Sequence, residues 1–326
     1  LITSMNIFQY SIYLLVVYLF FSSDLWLIYV NEESTKKTRA FWTNVILAGG
    51  VGGPLLLPIF RDMFTQGETL YWRGVPLFGI FLGIPLGILV ILTIKETLKF
   101  QEIKDIGQAK LNPFTLAKEN IREIRKSKHW KEMIMILIMS FCGGLNYNFL
   151  STGQRFLKEY SPYTEDDINS LITIIGISVV LGYLLTGIIA DKIGRKPMII
   201  IYSAMLPVSI ILVVIGAGLP TGAFYVIPVG YCLSYVSYWG LLSVIRIVTF
   251  ETLETDKRGT GSGMRGFYYA AGITGGLLIG AGITLISSLG IAYIILSLFV
   301  IIDIPLNLKF IKETKGTNLS NIDEEK

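Results

Sequence analysis

A chain of 326 residues that is 52% hydrophobic and only 16% charged falls outside the ordinary soluble class, where charged residues reach about 25%. Its net charge of +4 comes from basic residues scattered over many loops, which excludes a nucleic-acid surface and reads as a topology signal. Its two cysteines, Cys142 and Cys232, each lie inside an apolar run, so a disulfide framework is excluded too.

The apolar residues form continuous runs near the ~20 residues that cross a bilayer as helix. Nine spans are predicted, at 8–30, 41–60, 75–95, 132–152, 167–190, 197–217, 223–248, 263–287 and 289–309. Span one carries a carboxylate, Asp24, deep in its apolar run. Span two holds Gly49, Gly50, Gly52, Gly53 and Pro54, and span three repeats Gly79, Gly83 and Gly87 every four residues. Small residues at that spacing bring helices together in lipid. Between spans three and four lies a basic segment, 96–131, helical in its spacing from Pro113 and read as a solvated linker between two bundles. Its His129, beside Trp130, reads as an ordinary interfacial residue.

Span four contains "SFCGGLNYNFLSTGQ", and "GIIADKIGRKP" separates spans five and six. Span seven carries Tyr231, Tyr235, Tyr238 and Trp239, read as packing, and ends near Arg246. Span eight repeats Gly272, Gly276 and Gly280; a tight turn at Ser288 to Gly290 leads to span nine, whose Asp303 is read as structural.

The segments 31–40, 96–131, 191–196, 249–265 and the chain from 309, together with Lys95 and Arg246, hold 24 of the 28 basic residues. The opposite side holds only Arg61, Arg73, Arg155 and Lys158. By the positive-inside bias the basic side is cytoplasmic, the C-terminus included. The sequence starts with Leu1 rather than Met, and the expectation is that it begins inside a longer protein.

An internal repeat runs through the chain. Glu32 and Arg39 follow span one; Glu251 and Arg258 follow span seven with the same spacing, at an offset of 219. "IKET" closes both span three and span nine, at an offset of 217. Two landmarks at nearly one offset imply two like halves in the same orientation. Spans one to three then mirror spans seven to nine, and restoring partners for spans four to six gives twelve helices. The expected division is 1–95 for the end of the first bundle, 96–131 linker, 132–312 second bundle and 313–326 tail.

"GIIADKIGRK" resembles the signature of the major facilitator superfamily, Gly-x-x-x-Asp-Arg/Lys-x-Gly-Arg-Arg/Lys. Gly187, Asp191, Lys192, Gly194, Arg195 and Lys196 fill every defined position. The Glu-x6-Arg pairs, Trp72–Arg73, and "ETKG" from Glu313 to Gly316 are also similar to that family, the last to its sugar-porter branch. The resemblance implies an all-α membrane fold with nine of twelve helices present. It also implies that these residues, with Glu32, Arg39, Glu251, Arg258 and Glu313, form a cytoplasmic charge cluster that closes in one state and breaks in the other.

Polar groups inside spans are functional candidates by default. Asp24 is the first candidate for a proton-coupling carboxylate. "GGLNYNF" resembles the sugar-porter segment whose Asn binds sugar hydroxyls, which implies substrate contact at Asn146, with Asn148 and Tyr147 beside it. Ser140 and Phe141 stand where that branch has two Gln, so sugar and organic acid both stay open. The expected function is a secondary transporter of a small polar metabolite, proton-coupled and monomeric, in the plasma membrane. An efflux antiporter, a non-transporting sensor and an inactive fragment are the alternatives. The sequence offers no metal-ligand cluster or nucleophile–base pair, so neither an enzyme nor a cofactor is expected.

Overall fold

The computed structural model describes Gln9 and residues 24–50, 75–93, 113–219 and 223–317. Span one before Asp24, span two beyond Gly50, Trp72–Arg73, the linker before Pro113 and the tail after Thr317 lie outside the described residues. All regular structure among the described residues is helical. The helices are α1 (Leu25–Glu33), α2 (residues 39–50) and α3 (Val75–Thr93), then α4 (Pro113–Lys126), α5 (Trp130–Leu145) and α6 (Tyr147–Tyr160). They continue with α7 (Glu165–Ile193), α8 (Arg195–Ala217), α9 (Ala223–Thr252), α10 (Arg258–Ile286), α11 (Leu289–Leu298) and α12 (Asp303–Phe310). The expected fold class, an all-helical membrane protein, is the observed one. Six stretches among the described residues are long and apolar enough to cross a membrane, and they correspond to spans four to nine.

Three boundaries differ from expectation. Span four breaks at Asn146 and continues to Tyr160, because Gly143 and Gly144 beside the break give up helix propensity for close packing. Arg155 and Lys158, expected in an outer loop, therefore sit on α6. Span eight starts at Arg258 rather than 263, which sets Arg265 two turns into the helix. Span nine is interrupted by a 3₁₀ turn, Phe299–Ile302, that joins α11 to α12.

Local chemistry sets the ends. Thr164 caps α7 by a capping box: its hydroxyl accepts from Asp167 N at 3.2 Å, and Thr164 N donates to the Asp167 carboxylate at 2.9 Å. Ser288 caps α11 by accepting from Ile291 N at 3.3 Å, which fixes the tight turn predicted there. Pro85 and Pro207 lie inside helices, as a membrane chain tolerates.

The core is built by close helix contact. Gly272 of α10 lies against the Phe141 carbonyl of α5, Gly276 against the Leu145 carbonyl, and Gly144 against the Tyr269 carbonyl. The predicted glycine stripe of span eight is thus a helix seam. Gly83 and Gly87 of α3 meet no atom within 4 Å among the described residues. Tyr231, Tyr235 and Tyr238 are packing residues as expected: Tyr231 stacks on Phe149 at 5.0 Å and donates to the Gly153 carbonyl at 2.9 Å. Outward faces are apolar, with Ile174, Ile177, Leu181 and Leu185 exposed along α7, a surface suited to lipid.

α4, the end of the basic segment, docks on the start of α10. Ile124 is buried with Met133, Leu137 and Leu253, and Asn120 donates to the Asp256 carbonyl at 3.1 Å. Its Lys118, Arg122 and Arg125 stay outside that contact and line an open groove with Thr115 and Ile121.

Candidate functional site

The turn between α7 and α8 is the centre of the charged end. Asp191, in the last turn of α7, accepts hydrogen bonds from Ala40 N at 3.2 Å and Phe41 N at 2.9 Å. These are amides of the first turn of α2, which have no partner within their own helix and lie at its positive end. Gly187 makes that approach possible, since a Cβ there would lie 2.8 Å from Phe41 Cα and 2.9 Å from the Ala40 carbonyl. Gly194 takes φ +110°, a left-handed conformation that favours glycine. It lets Glu313 reach the start of α8, where its carboxylate accepts from Arg195 N at 2.9 Å and Lys196 N at 3.1 Å. The Lys192 carbonyl accepts from Lys315 Nζ at 2.5 Å.

Arg195 is fully buried and folds back over its own turn. One Nη contacts Asp191 at 3.1 Å and the Ala190 carbonyl at 2.8 Å. Its other edge makes a bidentate pair with Glu251, at 3.1 and 2.9 Å. Glu251 also accepts from Arg39 Nη1 at 3.1 Å and from Thr314 Oγ1 at 2.6 Å.

The repeat explains the second pair. Arg258 Nη1 contacts Glu32 at 3.2 Å, so each arginine of the two Glu-x6-Arg units pairs with the glutamate of the other. Each Nε also donates to a carbonyl eight residues earlier in its own unit: Arg39 to Asn31 at 3.2 Å, Arg258 to Phe250 at 3.0 Å. The two units are exchanged across a pseudo-twofold seam. The sequence placed these residues at one end; the structure joins Arg39, Asp191, Arg195, Glu251 and Glu313 in one network and sets the Glu32–Arg258 pair across the same seam.

Deeper along the same seam lies a second charged layer. Asp24 accepts from Ser262 Oγ at 2.7 Å, forms an ion pair with Arg265, and lies 3.8 Å from Arg246 Nε. Two largely buried guanidinium groups thus share one carboxylate, and neither Nε has a hydrogen-bond partner among the described residues. Sequence reasoning missed Arg265 because it was counted with the basic segment 249–265 rather than as a polar group inside span eight. Asp24, the first candidate for a proton-coupling carboxylate, is held from α9 and α10.

Asn146 occupies the break between α5 and α6. Its Nδ2 donates to the Cys142 carbonyl at 3.0 Å and the Leu296 carbonyl at 3.4 Å, so it ties span four to span nine. Asn148 is buried; its Oδ1 accepts from Thr152 Oγ1 at 3.5 Å, while its Nδ2 lies against Gly280 with no hydrogen-bond partner among the described residues. Tyr147, between them, is half-buried.

Membrane-length helices, small-residue seams and buried ion pairs exchanged between repeated units define a multi-pass membrane protein of duplicated architecture. Residues 25–277 match the family model described as the Major Facilitator Superfamily, and the chain belongs to that superfamily. Similar proteins include the proline/betaine transporter of Salmonella typhimurium, 25% identical over 190 residues, which cover 55% of this chain and 37% of the relative. A glycine betaine/proline/ectoine/pipecolic acid transporter of Dickeya dadantii is also 25% identical over 190 residues, covering 54% of this chain and 36% of the relative. The chain therefore spans well under half the length of these curated relatives. Among solved structures, a proton:xylose symporter bound to 6-bromo-6-deoxy-D-glucose shares the fold at a TM-score of 0.69 and 14% identity, over 91% of this chain and 69% of that one.

Proposed function

We propose that this chain acts in a secondary active transporter that moves a small polar metabolite by alternating access, coupled to protons. The observation that carries the reading is the exchange of Glu–Arg pairs between the two repeated units. Buried ion pairs that join two bundles at one end form a gate: they hold that end shut, and rocking of the bundles must break them. The basic bias of this end supports a cytoplasmic gate and a cytoplasmic C-terminus. The protein works as a monomer in the plasma membrane.

The second layer supports a substrate class. Arg246 and Arg265 outnumber Asp24 and leave a surplus of buried positive charge on the seam. A solute carboxylate neutralises that surplus with the bidentate geometry that guanidinium favours. The named substrates of the relatives, proline and betaine, carry such a group. Asp24 fits an electrostatic latch better than a proton carrier, since two guanidinium groups already hold its charge.

Reconstitution of the full-length protein in liposomes tests this, with proline, glycine betaine and xylose as probes. Uptake of a carboxylate-bearing probe, collapsing with a protonophore, is the expected result. Binding without translocation makes the protein a sensor and overturns the transport reading. Uphill uptake that ignores the proton gradient overturns the coupling.

A further inference from the structure

Span nine presents one stripe to the interior: Tyr293, Leu296, Val300, Asp303, Asn307 and Ile311 are buried, while Ile301, Ile302 and Leu308 face outward. Within this apolar stripe Asp303 is 0% exposed, and neither carboxylate oxygen has a hydrogen-bond partner among the described residues. The contrast with Asp24, which has a hydroxyl and two guanidinium groups, is complete.

Among the described residues the surroundings offer Asp303 no counter-charge. α12 packs on α5 and α8. From α5, the titratable group within its electrostatic reach is the Cys142 thiol; Glu132 lies at the far start of that helix with His129, at 2.7 Å. From α8, Arg195 is committed to Glu251 and Asp191, Lys196 Nζ to the Leu308 carbonyl at 3.3 Å, and the Tyr202 hydroxyl to Thr186. On α12 itself, Lys309 lies over the Phe310 ring. An isolated carboxylate taken out of water costs so much as an anion that the group neutralises instead. In this closed arrangement Asp303 therefore carries a proton, and losing it requires water to reach the side chain.

The same helix is tied to the gate. One turn beyond Asp303, Asn307 Nδ2 donates to the Lys196 carbonyl at 2.9 Å. Immediately after α12, Glu313 holds the start of α8, and Thr314 donates to Glu251 at 2.6 Å. Any movement of α12 that hydrates Asp303 pulls on the contacts that seat Arg195 and Glu251.

We propose that Asp303 is a proton-binding residue whose protonated form holds the gate closed and whose ionisation, through α12, releases it. The link to transport rests on the reading above; the proton site itself does not.

The test uses the full-length protein in lipid nanodiscs, with spin labels at Lys37→Cys and Ile193→Cys, both exposed positions, in a Cys232→Ala background. The distance across the gate should lengthen as pH rises. Asp303→Asn, which mimics the protonated form, should remove that lengthening and keep the short distance throughout. Asp303→Glu should retain a transition at a shifted midpoint, which keeps the test decisive if the Asn variant fails to fold. Infrared difference spectra should show a carboxylic acid band in the closed form that the Asn variant lacks. A wild-type distance that ignores pH, or a transition unchanged in Asp303→Asn, overturns the proposal. So does a transition abolished by Asp24→Asn instead. Loss of transport with the titration intact would overturn the transporter reading and leave this one standing.

Discussion

Arg39 and Glu251 lie 212 positions apart in the chain and form a buried 3.1 Å ion pair across the seam between the repeated units. Glu251 serves three donors at once, Arg39, Arg195 and Thr314. A charge that satisfies two buried guanidinium groups cannot be removed cheaply, because both are left without compensation.

Glu251→Gln is therefore expected to destabilise the closed seam by about 3–5 kcal/mol, the range for breaking a buried pair. Thermal unfolding in detergent, read beside thiol labelling of an Ala40→Cys variant, checks it. Ala40 is inaccessible in the closed form and should label rapidly once Glu251 is neutral. Equal labelling rates would show that the pair does not hold this end shut.

Gly194→Ala tests the turn of the signature. At φ +110° a side chain is strained, and the added Cβ meets the Glu313 carboxylate that caps α8. Backbone strain of this kind costs about 1–3 kcal/mol, and the lost cap adds to it. The unfolding midpoint should fall more than for Gly316→Ala, which has a positive φ of 74° but open space.

How much of this was legible in the sequence depends on the range of the interactions. The Gly187–Lys196 signature and the two Glu-x6-Arg units announced themselves because each is local in sequence, and the repeat offset related them. Their exchange was not legible, because offset 219 matches equivalent positions and does not say which partner each side chain takes. Arg265 was missed because it was grouped with the basic segment 249–265 as a topology charge, although it falls inside the expected span; α10 starts at Arg258, so Arg265 stands two turns into the helix, on the seam. Asp303 was read as structural, and one acid in an apolar span carries no sign of which helix face it occupies. Only the packing of α12 on α5 and α8 puts it inside. The break at Asn146 was hidden for a similar reason, as Gly143 and Gly144 read equally well as packing within an unbroken helix.

The glycine seam between α5 and α10 gives a graded prediction. Gly276→Ala places a methyl group against the Leu145 backbone carbonyl, which has no rotamer by which to yield. Overpacking of this kind costs about 1–3 kcal/mol, with a further rise if the helices separate. Gly275→Ala, whose Cβ would sit 3.6 Å from a flexible Leu145 methyl, should be neutral or stabilising by up to ~1 kcal/mol through helix propensity. The unfolding midpoint should therefore fall for Gly276→Ala and hold or rise for Gly275→Ala, and similar shifts would place the seam elsewhere.

The Asp24 layer predicts non-additivity. Asp24→Asn strands the guanidinium groups of Arg246 and Arg265, both largely buried, and should cost about 3–5 kcal/mol. Arg265→Gln in the same chain removes one of the stranded charges, so the double variant should be more stable than the Asp24→Asn single variant. Coupling above ~0.5 kcal/mol marks residues that act as a unit. Arg265→Gln alone should weaken binding of a carboxylate-bearing solute roughly 10-fold or more, since a hydrogen bond to a charged group contributes about 1.5–3 kcal/mol. Binding of an uncharged sugar should be unchanged. Equilibrium binding of glycine betaine and xylose to each variant separates these outcomes. If both solutes weaken together, Arg265 shapes the seam and does not receive the carboxylate.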